Sequence, residues 1–306
     1  MKTCSARRMI VLALLVALCL ATIGPAGAAE TRPPEERAVA SDTLSPRREA
    51  SEVELTREID LRNFGAWTGF RLGDLDGDGR LDIALAQNEG QNITCVTAMT
   101  AEGEILWQKG EPHPENYHTS FDLPIQIHDL DADGRFEVVY AADDSLLVRD
   151  GETGELLRKT ELPAPDAHDS IAFADLEGTG HPGNVIIKDR YETAWALDRE
   201  LDVMWSFSGN TGHYPWPHEM DDDGRDEVVC GYSLLDHDGD AIWTLDLPGH
   251  SDGTIVADVD GDPDNGLEVG WATCGGNRLV LAGREGNIRW KRNVRHAQHL
   301  IAGDFR

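Results

Sequence analysis

The sequence is poor in basic residues and in cysteine, and only its N-terminus carries a long hydrophobic run. Lys and Arg number 27 against 56 Asp and Glu, and the formal net charge is -29. So acidic a chain is unsuited to contacting phosphates, which excludes nucleic acid as the expected partner. Beyond the N-terminal run lie Cys95, Cys230 and Cys274. An odd number rules out a complete disulfide framework, although Cys230 and Cys274 could form one bridge.

The hydrophobic run, from Met9 to Ile23, follows basic residues and precedes a stretch of small residues at 25–29. It is short and is followed at once by polar sequence, which is typical of a secretory signal peptide and not of a membrane span. We predict a signal peptide at 1–29, a disordered linker rich in Pro, Arg and Glu at 30–51, and a folded domain at 52–306. The mature protein is expected to be secreted or periplasmic, free of the membrane and monomeric.

The folded region is an internal repeat marked by acidic loops. Asp74-Leu-Asp-Gly-Asp-Gly79 recurs in related form at Asp129, Asp175, Glu219 and Asp258, and a further copy begins at Gly303-Asp304. A second motif, a polar turn followed by Trp or Leu, keeps step with the first at Trp107, Leu157, Trp205, Trp243 and Trp290. We expect these tryptophans to be core residues.

Short β-rich runs lie between the two motifs, and no amphipathic helix is apparent outside the signal peptide. Four strands in roughly 45 residues is typical of a propeller blade. The sequence therefore predicts an all-β protein, a β-propeller of four-stranded blades. Five blades and one opening strand would belong to a disc of seven or eight that the sequence contains incompletely.

The acidic loops predict calcium sites. Oxygen-bearing side chains at positions 1, 3 and 5 and a glycine at position 6 match the first half of an EF-hand loop, and a later acid can complete each set. An ordinary Asp-rich turn would explain one such loop, but four good copies favour Ca²⁺. The predicted ligands are Asp74, Asp76, Asp78, Asp82, Asp129, Asp131, Asp133, Glu137, Glu219, Asp221, Asp223, Glu227, Asp258, Asp260, Asp262 and Glu268. The third loop, with Glu177 and Thr179, is degraded and could be empty.

Chemically richer residues are expected at the opposite edge of the strands. If each acidic loop joins strands one and two, then the segments entering strand one and the loops from strand two to strand three share the other edge. A histidine recurs there in every repeat after the first. Each single histidine could equally be a packing residue that bonds a neighbouring loop. The residues placed at this edge include His168, Lys188, Arg190, Tyr191, His213, Tyr214, Trp216, Tyr232, His250, Arg278, His296 and His299.

The acidic repeats resemble FG-GAP/VCBS propeller repeats. The runs Gly209-Asn-Thr-Gly-His213-Tyr-Pro-Trp-Pro and Gly249-His250-Ser-Asp252, with the acidic loops after them, resemble secreted propellers related to rhamnogalacturonan lyases. That resemblance covers about residues 65 to 306. It implies a polysaccharide lyase that cleaves an acidic, uronic-acid-containing polysaccharide by β-elimination.

The resemblance also implies residue roles. Such chemistry needs a base, an acid and a cation that neutralises the uronate. His213 or His168 would be the base, Tyr214 the acid, and Arg190, Lys188 or a bound Ca²⁺ the cation, with His250 in the same catalytic group. Substrate contacts would come from Trp216, Tyr191, Tyr232, Arg278, His296 and His299. The alternative is a non-catalytic propeller that binds carbohydrate or a protein partner.

Overall fold

The structure, a computed structural model, describes residues 57–61, 70–90, 92–113 and 122–303. The predicted signal peptide and linker, and the sixth acidic loop expected from Asp304, lie outside these residues. The segment before that loop, where an opening strand was expected, is described up to Gly303 and forms no strand. The chain divides into two units, Met1–Ile59 and Asp60–Arg306, and the second unit contains every strand given below. The described residues contain no helix with the length and hydrophobicity that a membrane crossing needs.

The second unit is all-β, as predicted, and its described strands form five four-stranded antiparallel sheets. Sheet 1 contains β1 (Phe70–Gly73), β2 (Asp82–Glu89), β3 (Asn92–Thr100) and β4 (Ile105–Gly110). Sheet 2 contains β5 (Ile125–His128), β6 (Glu137–Ala142), β7 (Ser145–Asp150) and β8 (Leu156–Glu161). Sheet 3 contains β9 (Asp169–Ala174), β10 (Asn184–Lys188), β11 (Thr193–Leu197) and β12 (Val203–Ser208).

Sheet 4 contains β13 (Trp216–His218), β14 (Glu227–Cys230), β15 (Ser233–Leu235) and β16 (Ala241–Thr244). Sheet 5 contains β17 (His250–Ala257), β18 (Glu268–Cys274), β19 (Arg278–Gly283) and β20 (Ile288–Asn293), with one 3₁₀ turn at Pro263–Asn265 between its first two strands. Each sheet is a meander in chain order, so every acidic loop joins strands one and two as expected. The first strands of successive sheets contact one another, β1 with β5, β5 with β9, β9 with β13 and β13 with β17.

The core lies between successive sheets because their second strands are buried on both faces. β6, β10 and β14 have no exposed residue. Side chains alternate along a strand, so Val138 packs with Val96 of sheet 1 whereas its neighbour Val139 packs with Val185 of sheet 3. The outer strands β8 and β12 alternate between exposed and half-buried residues. Sheets 2, 3 and 4 thus each contribute one face to each of two hydrophobic clusters, whereas sheets 1 and 5 each contribute to one.

The repeated tryptophans join neighbouring sheets. Trp107 Nε1 donates to the Gly151 carbonyl at 2.7 Å, across to the turn between the third and fourth strands of the next sheet. Trp205 does the same to His237 at 2.9 Å, and Trp243 to Arg284 at 2.8 Å. We call each such contact a tryptophan bridge.

A glycine in a left-handed conformation lies under the ring of each tryptophan bridge. A Cβ at Gly154 would come within 2.6 Å of the Trp107 ring, and one at Gly239 or Gly286 would come within 2.7 or 2.9 Å of the corresponding ring. Trp107 is buried, as predicted, but Trp205 and Trp243 are half-buried and Trp290 is 38% exposed. The expectation that these residues are all core was therefore wrong for Trp290, because the described residues bring no following turn against it.

The bridge between sheets 2 and 3 has a different composition. The strand register places Arg158, and not the Leu157 expected from the sequence, at the position of the tryptophan. Leu201, with a φ of 69°, replaces the glycine of the next turn. The Arg158 guanidinium donates to the Arg199 carbonyl in place of an indole. The contact between sheets 2 and 3 therefore lacks both the tryptophan ring and the glycine. The glycine is needed only where a ring packs against the turn.

The three described cysteines are free thiols. Cys230 is buried in β14 and directs its sulfur toward the Thr211 carbonyl at 3.8 Å. Cys274 ends β18 and is half-buried. The bridge considered between Cys230 and Cys274 is not formed.

Candidate functional site

Four polar side chains from three sheets converge at the edge opposite the acidic loops. Tyr191 comes from the β10–β11 loop, His213 precedes β13, and His250 and Asp252 belong to β17. The Tyr191 hydroxyl lies 3.3 Å from Nε2 of His213 and 3.4 Å from Nε2 of His250. Their meeting follows from the contact of β9, β13 and β17 at their adjacent ends.

His213 is oriented by Asp122, which enters from the segment before β5. Its Nδ1 contacts Asp122 Oδ2, and since an ionised carboxylate only accepts, Nδ1 must donate. In the neutral ring, Nε2 then carries the lone pair and faces the cluster. Tyr214 donates its hydroxyl to Asp122 Oδ1 at 2.7 Å. Burial acts to raise the pKa of Asp122, but the hydrogen bonds from His213 and Tyr214, together with the Arg190 charge, hold that pKa below its usual value.

A buried ion network lies behind the cluster. Lys188 is fully buried and donates to Asp169 Oδ2 at 2.8 Å and to the carbonyls of Asp189 and Arg190. Arg190 lies 3.1 Å from Asp169 and 3.3 Å from Asp122, and its guanidinium is 4.9 Å from the centre of the Tyr191 ring. The three ammonium protons of Lys188 are thus used inside the protein. This side chain supports the loop that carries Tyr191.

Asp252 has a buried oxygen with no hydrogen-bond partner. Its Oδ1 lies 3.0 Å from Nε2 of His250 and 3.3 Å from Nε2 of His213, but neither approach has hydrogen-bond geometry. The Asp252 side chain is only 9% exposed. A β-bulge in β17 between Ser251 and Gly253 redirects Asp252 toward the cluster.

The ligand atoms of His213, His250 and Asp252 all lie within 4.8 Å of one another, as in a cation site. Two imidazole nitrogens and a carboxylate oxygen are a recognised donor set for divalent metals. Burial, with the nearby His213 and Arg190, lowers the pKa of His250 below its ordinary value, although Asp252 opposes the shift. We name these three side chains the His-His-Asp cluster.

Other predicted site residues take different places. Trp216 is 41% exposed and lines, with Tyr214, Asp252 and His299, an open groove of about 370 Å³ beside the cluster. His168 immediately precedes Asp169, and its buried Nδ1 has no hydrogen-bond partner among the described residues.

Three other predicted substrate contacts are not members of this cluster. Tyr232 is buried in the core, where its hydroxyl is 3.4 Å from the Pro248 carbonyl and its ring packs on Trp271. Arg278 begins β19, and His296 is exposed on the segment after β20.

The acidic loops form four groups of converging carboxylates. These are Asp74, Asp76 and Asp78; Asp129, Asp131 and Glu137; Glu219, Asp221 and Glu227; and Asp258, Asp260 and Glu268. Asp82, Asp133, Asp223 and Asp262, also predicted as ligands, are not members of these groups. Buried oxygens of Asp74 and Glu227 have no hydrogen-bond partner among the described residues, and such oxygens are suited to bind a cation. In the fifth loop Arg289 contacts Glu268 at 2.9 Å.

Sequence reasoning missed three carboxylates of this edge, Asp122, Asp169 and Asp252. Asp169 and Asp252 stand beside predicted histidines, in His168-Asp169 and His250-Ser-Asp252, so the repeated His with a following Asp was an available signal. Asp122 belongs to no repeated motif. Its contact with His213 requires segments of sheets 2 and 4 to come together beside sheet 3. The spacing of residues along the sequence does not reveal this.

No protein-family model matches the chain. The chain is 27% identical to the rhamnogalacturonan exolyase YesX of Bacillus subtilis, over 65% of this chain and 43% of that protein. It is 25% identical to the rhamnogalacturonan endolyase YesW of the same organism, over 65% of this chain and 42% of that one. The chain is thus homologous to rhamnogalacturonan lyases at low identity, and it spans less than half the length of these relatives.

Solved structures share the fold. The crystal structure of YesW superposes with a TM-score of 0.60 at 21% identity, over 74% of this chain and 50% of that one. The Vibrio cholerae biofilm matrix protein Bap1 gives a TM-score of 0.57 at 20% identity, over 76% of this chain and 40% of that one. At these identities the likeness concerns the fold alone.

Proposed function

We propose that this protein is an exported polysaccharide lyase that cleaves a uronic-acid-containing polysaccharide by β-elimination. The five sheets would be blades of a propeller of the FG-GAP/VCBS type, with structural Ca²⁺ in four acidic loops. The observation that carries the proposal is the His-His-Asp cluster with Tyr191 at one edge, in a chain homologous to rhamnogalacturonan lyases.

Charge balance favours a bound cation at this cluster. A uronate substrate brings a negative charge, whereas Lys188 and Arg190 are already matched by Asp169 and Asp122. Asp252 adds a further negative charge. A divalent cation held by the His-His-Asp cluster would neutralise the uronate carboxylate and so acidify its C5 proton.

The residues then take the following roles. His213 and His250 would hold the cation with Nε2, and Asp122 would keep His213 in the required tautomer. Tyr191, whose hydroxyl is within 3.4 Å of both Nε2 atoms, would transfer the proton. This moves His213 from base to ligand and makes Tyr214 a support for Asp122. Trp216 would stack on a sugar ring in the groove.

Incubation with pectic, gum and ulvan-type polysaccharides tests the proposal, with ultraviolet absorbance following unsaturated uronates. We expect a rise that EDTA abolishes. Tyr191→Phe should lower the rate by about 100-fold or more while leaving cation binding intact. Tyr140→Phe, which removes a tyrosine hydroxyl that bonds Arg149 within sheet 2, is the matched control. A folded protein that yields no product from any polymer contradicts the proposal.

A non-catalytic, carbohydrate-binding propeller is the second candidate. The exposed Trp216 beside an open groove favours it, because such a surface can bind a sugar chain without chemistry. Retention on an immobilised polysaccharide that is lost in Trp216→Ala, with no absorbance change, would identify this function.

A further inference from the structure

Cys274 lies next to the His-His-Asp cluster. In the antiparallel pair β17–β18, Cys274 is directly opposite His250. Directly opposed residues project from the same face of a sheet, with Cβ atoms about 4.5–5.5 Å apart. The thiol therefore lies on the same side of the sheet as the His250 imidazole.

The thiol also interacts with the Asp252 carboxylate. Cys274 is half-buried and free, whereas Cys95 and Cys230 are buried in strands. Its sulfur is outside the tight group of three ligand atoms, and rotation about the single χ1 bond of cysteine moves it. Cys274 is thus the described thiol that can reach the cluster.

Asp252 Oδ1 is a second observation that indicates a ligand, because it is buried and makes no well-aligned hydrogen bond. A carboxylate oxygen that is buried without a hydrogen bond costs free energy, about 1–3 kcal/mol or more. Two nitrogens approach this oxygen at 3.0 and 3.3 Å without bonding to it. That arrangement is explained by an ion between the three groups.

We propose that Cys274 is the fourth ligand of the His-His-Asp cluster, and that this site takes Zn²⁺ or a similar first-row metal and not Ca²⁺. Thiolate and imidazole are the donors that Zn²⁺ prefers, whereas Ca²⁺ takes oxygen donors. When the metal binds, the thiol releases its proton to solvent and a metal–sulfur bond forms.

The chain would therefore bind different cations at different sites, according to the donor atoms that each site offers. The four acidic loops offer only oxygen and suit Ca²⁺, and the edge cluster offers two nitrogens, one oxygen and one sulfur. Zinc sites expand to five ligands during catalysis, so four protein ligands leave room for a substrate oxygen. The use of this cation in catalysis rests on the proposed function, whereas the assignment of Zn²⁺ to the site does not.

Cobalt spectroscopy tests the assignment without reference to activity. The full chain, stripped of metal and then kept in excess Ca²⁺, is titrated with Co²⁺. We expect a near-ultraviolet thiolate-to-cobalt charge-transfer band and intense visible bands of a tetrahedral site. Cys274→Ser should remove the first and weaken Co²⁺ binding about 10- to 100-fold. Cys95→Ser, a buried thiol of sheet 1, should leave both unchanged.

Alkylation of the unaltered protein gives a second measurement that no folding defect can confuse. Zn²⁺, but not Ca²⁺, should protect Cys274 from iodoacetamide. Absence of the charge-transfer band, or its persistence in Cys274→Ser, would overturn the proposal, as would equal alkylation with and without Zn²⁺. If the charge-transfer band and the protection by Zn²⁺ are both observed but no lyase activity is found, the metal site is supported and only the proposed function is rejected.

Discussion

The third and fourth acidic loops make the same turn but balance their charge in opposite ways. In the third, Asn184 accepts from Leu176 N at 2.9 Å and donates its amide to Glu177. In the fourth, Glu227 accepts from Met220 N at 2.8 Å, and its second oxygen is buried without a partner. The same backbone contact is thus made by a neutral and by a charged side chain.

An arginine completes the third loop from within. Arg199 donates to the Thr179 hydroxyl and, at 3.2 Å, to the His181 carbonyl, and its Nε lies 3.6 Å from Glu177. Hydrogen bonds from Thr179 and Gly180 outweigh burial and lower the pKa of Asp175. The difference teaches that the turn itself needs no ion, and that the fourth loop carries more negative charge than the turn requires.

Calcium removal should show the largest effect. Each loop filled at 100 times its dissociation constant stabilises the fold by about 2.7 kcal/mol, and we expect four to fill and the third to stay empty. Calorimetry with Ca²⁺ and with EDTA should show a large loss of Tm, and equilibrium dialysis in the presence of Zn²⁺ should count four Ca²⁺. A count of five Ca²⁺ would contradict the prediction that the third loop differs from the others. An unchanged Tm would contradict the prediction that Ca²⁺ stabilises the fold.

The third loop can be converted into the acidic kind. Asn184→Asp with Arg199→Ala introduces a carboxylate and removes the internal guanidinium. We expect the metal-free protein to lose about 2–3 kcal/mol in its free energy of unfolding, measured with urea. One additional Ca²⁺ should then bind. Unchanged metal-free stability would show that the internal charge balance is unimportant.

The pH dependence of the metal-free protein should come from the charged loops. Burial, with the neighbouring loop carboxylates, raises the pKa of Glu137 and of Glu227 to about 7 from 4.5. Folding therefore favours the protonated acids, and this stability is complete below about pH 4.5 and lost as pH rises through about 7. Glu137→Gln with Glu227→Gln should flatten the fall in Tm between pH 5 and 8. If the slope of Tm against pH remains in the double variant, other groups cause the pH dependence.

Arg199→Ala alone should have the smallest effect. The guanidinium is partly exposed, so its loss should cost about 0.5–1.5 kcal/mol. Arg199→Lys should recover part of this in a urea titration, because one charge and some donors remain. A full recovery would mean that charge matters more here than the forked hydrogen bonds.

Much of the fold follows from residues that repeat. The acidic loops at fixed spacing located the turn between strands one and two, and the short runs such as Val138-Val-Tyr140 located the buried second strands. Periodicity works here because each sheet is a local meander. The prediction that every repeated tryptophan is a core residue failed at Trp290. The spacing of the tryptophans reveals the repeat, but it does not show that no following turn packs on Trp290 among the described residues.

The site was predictable only in part. The edge on which His213, His250 and Tyr191 meet follows from strand direction alone. Asp122 could not be found this way, because its contact with His213 spans 91 residues and joins non-neighbouring sheets. The sequence equally could not show that Lys188 is enclosed, because this depends on Asp169 of the neighbouring strand and on carbonyl groups of the loop that follows β10.

The tryptophan bridges limit which repeats can be exchanged during evolution. A duplicated or recombined sheet inherits a ring on its last strand and a glycine in its last turn, and each must match the neighbour it meets. A sheet with a bulkier turn residue, such as Leu201 of sheet 3, could follow only a partner that lacks the ring. Repeats of this chain are therefore unequal as genetic modules, and the bridges favour inheritance of adjacent sheets in pairs.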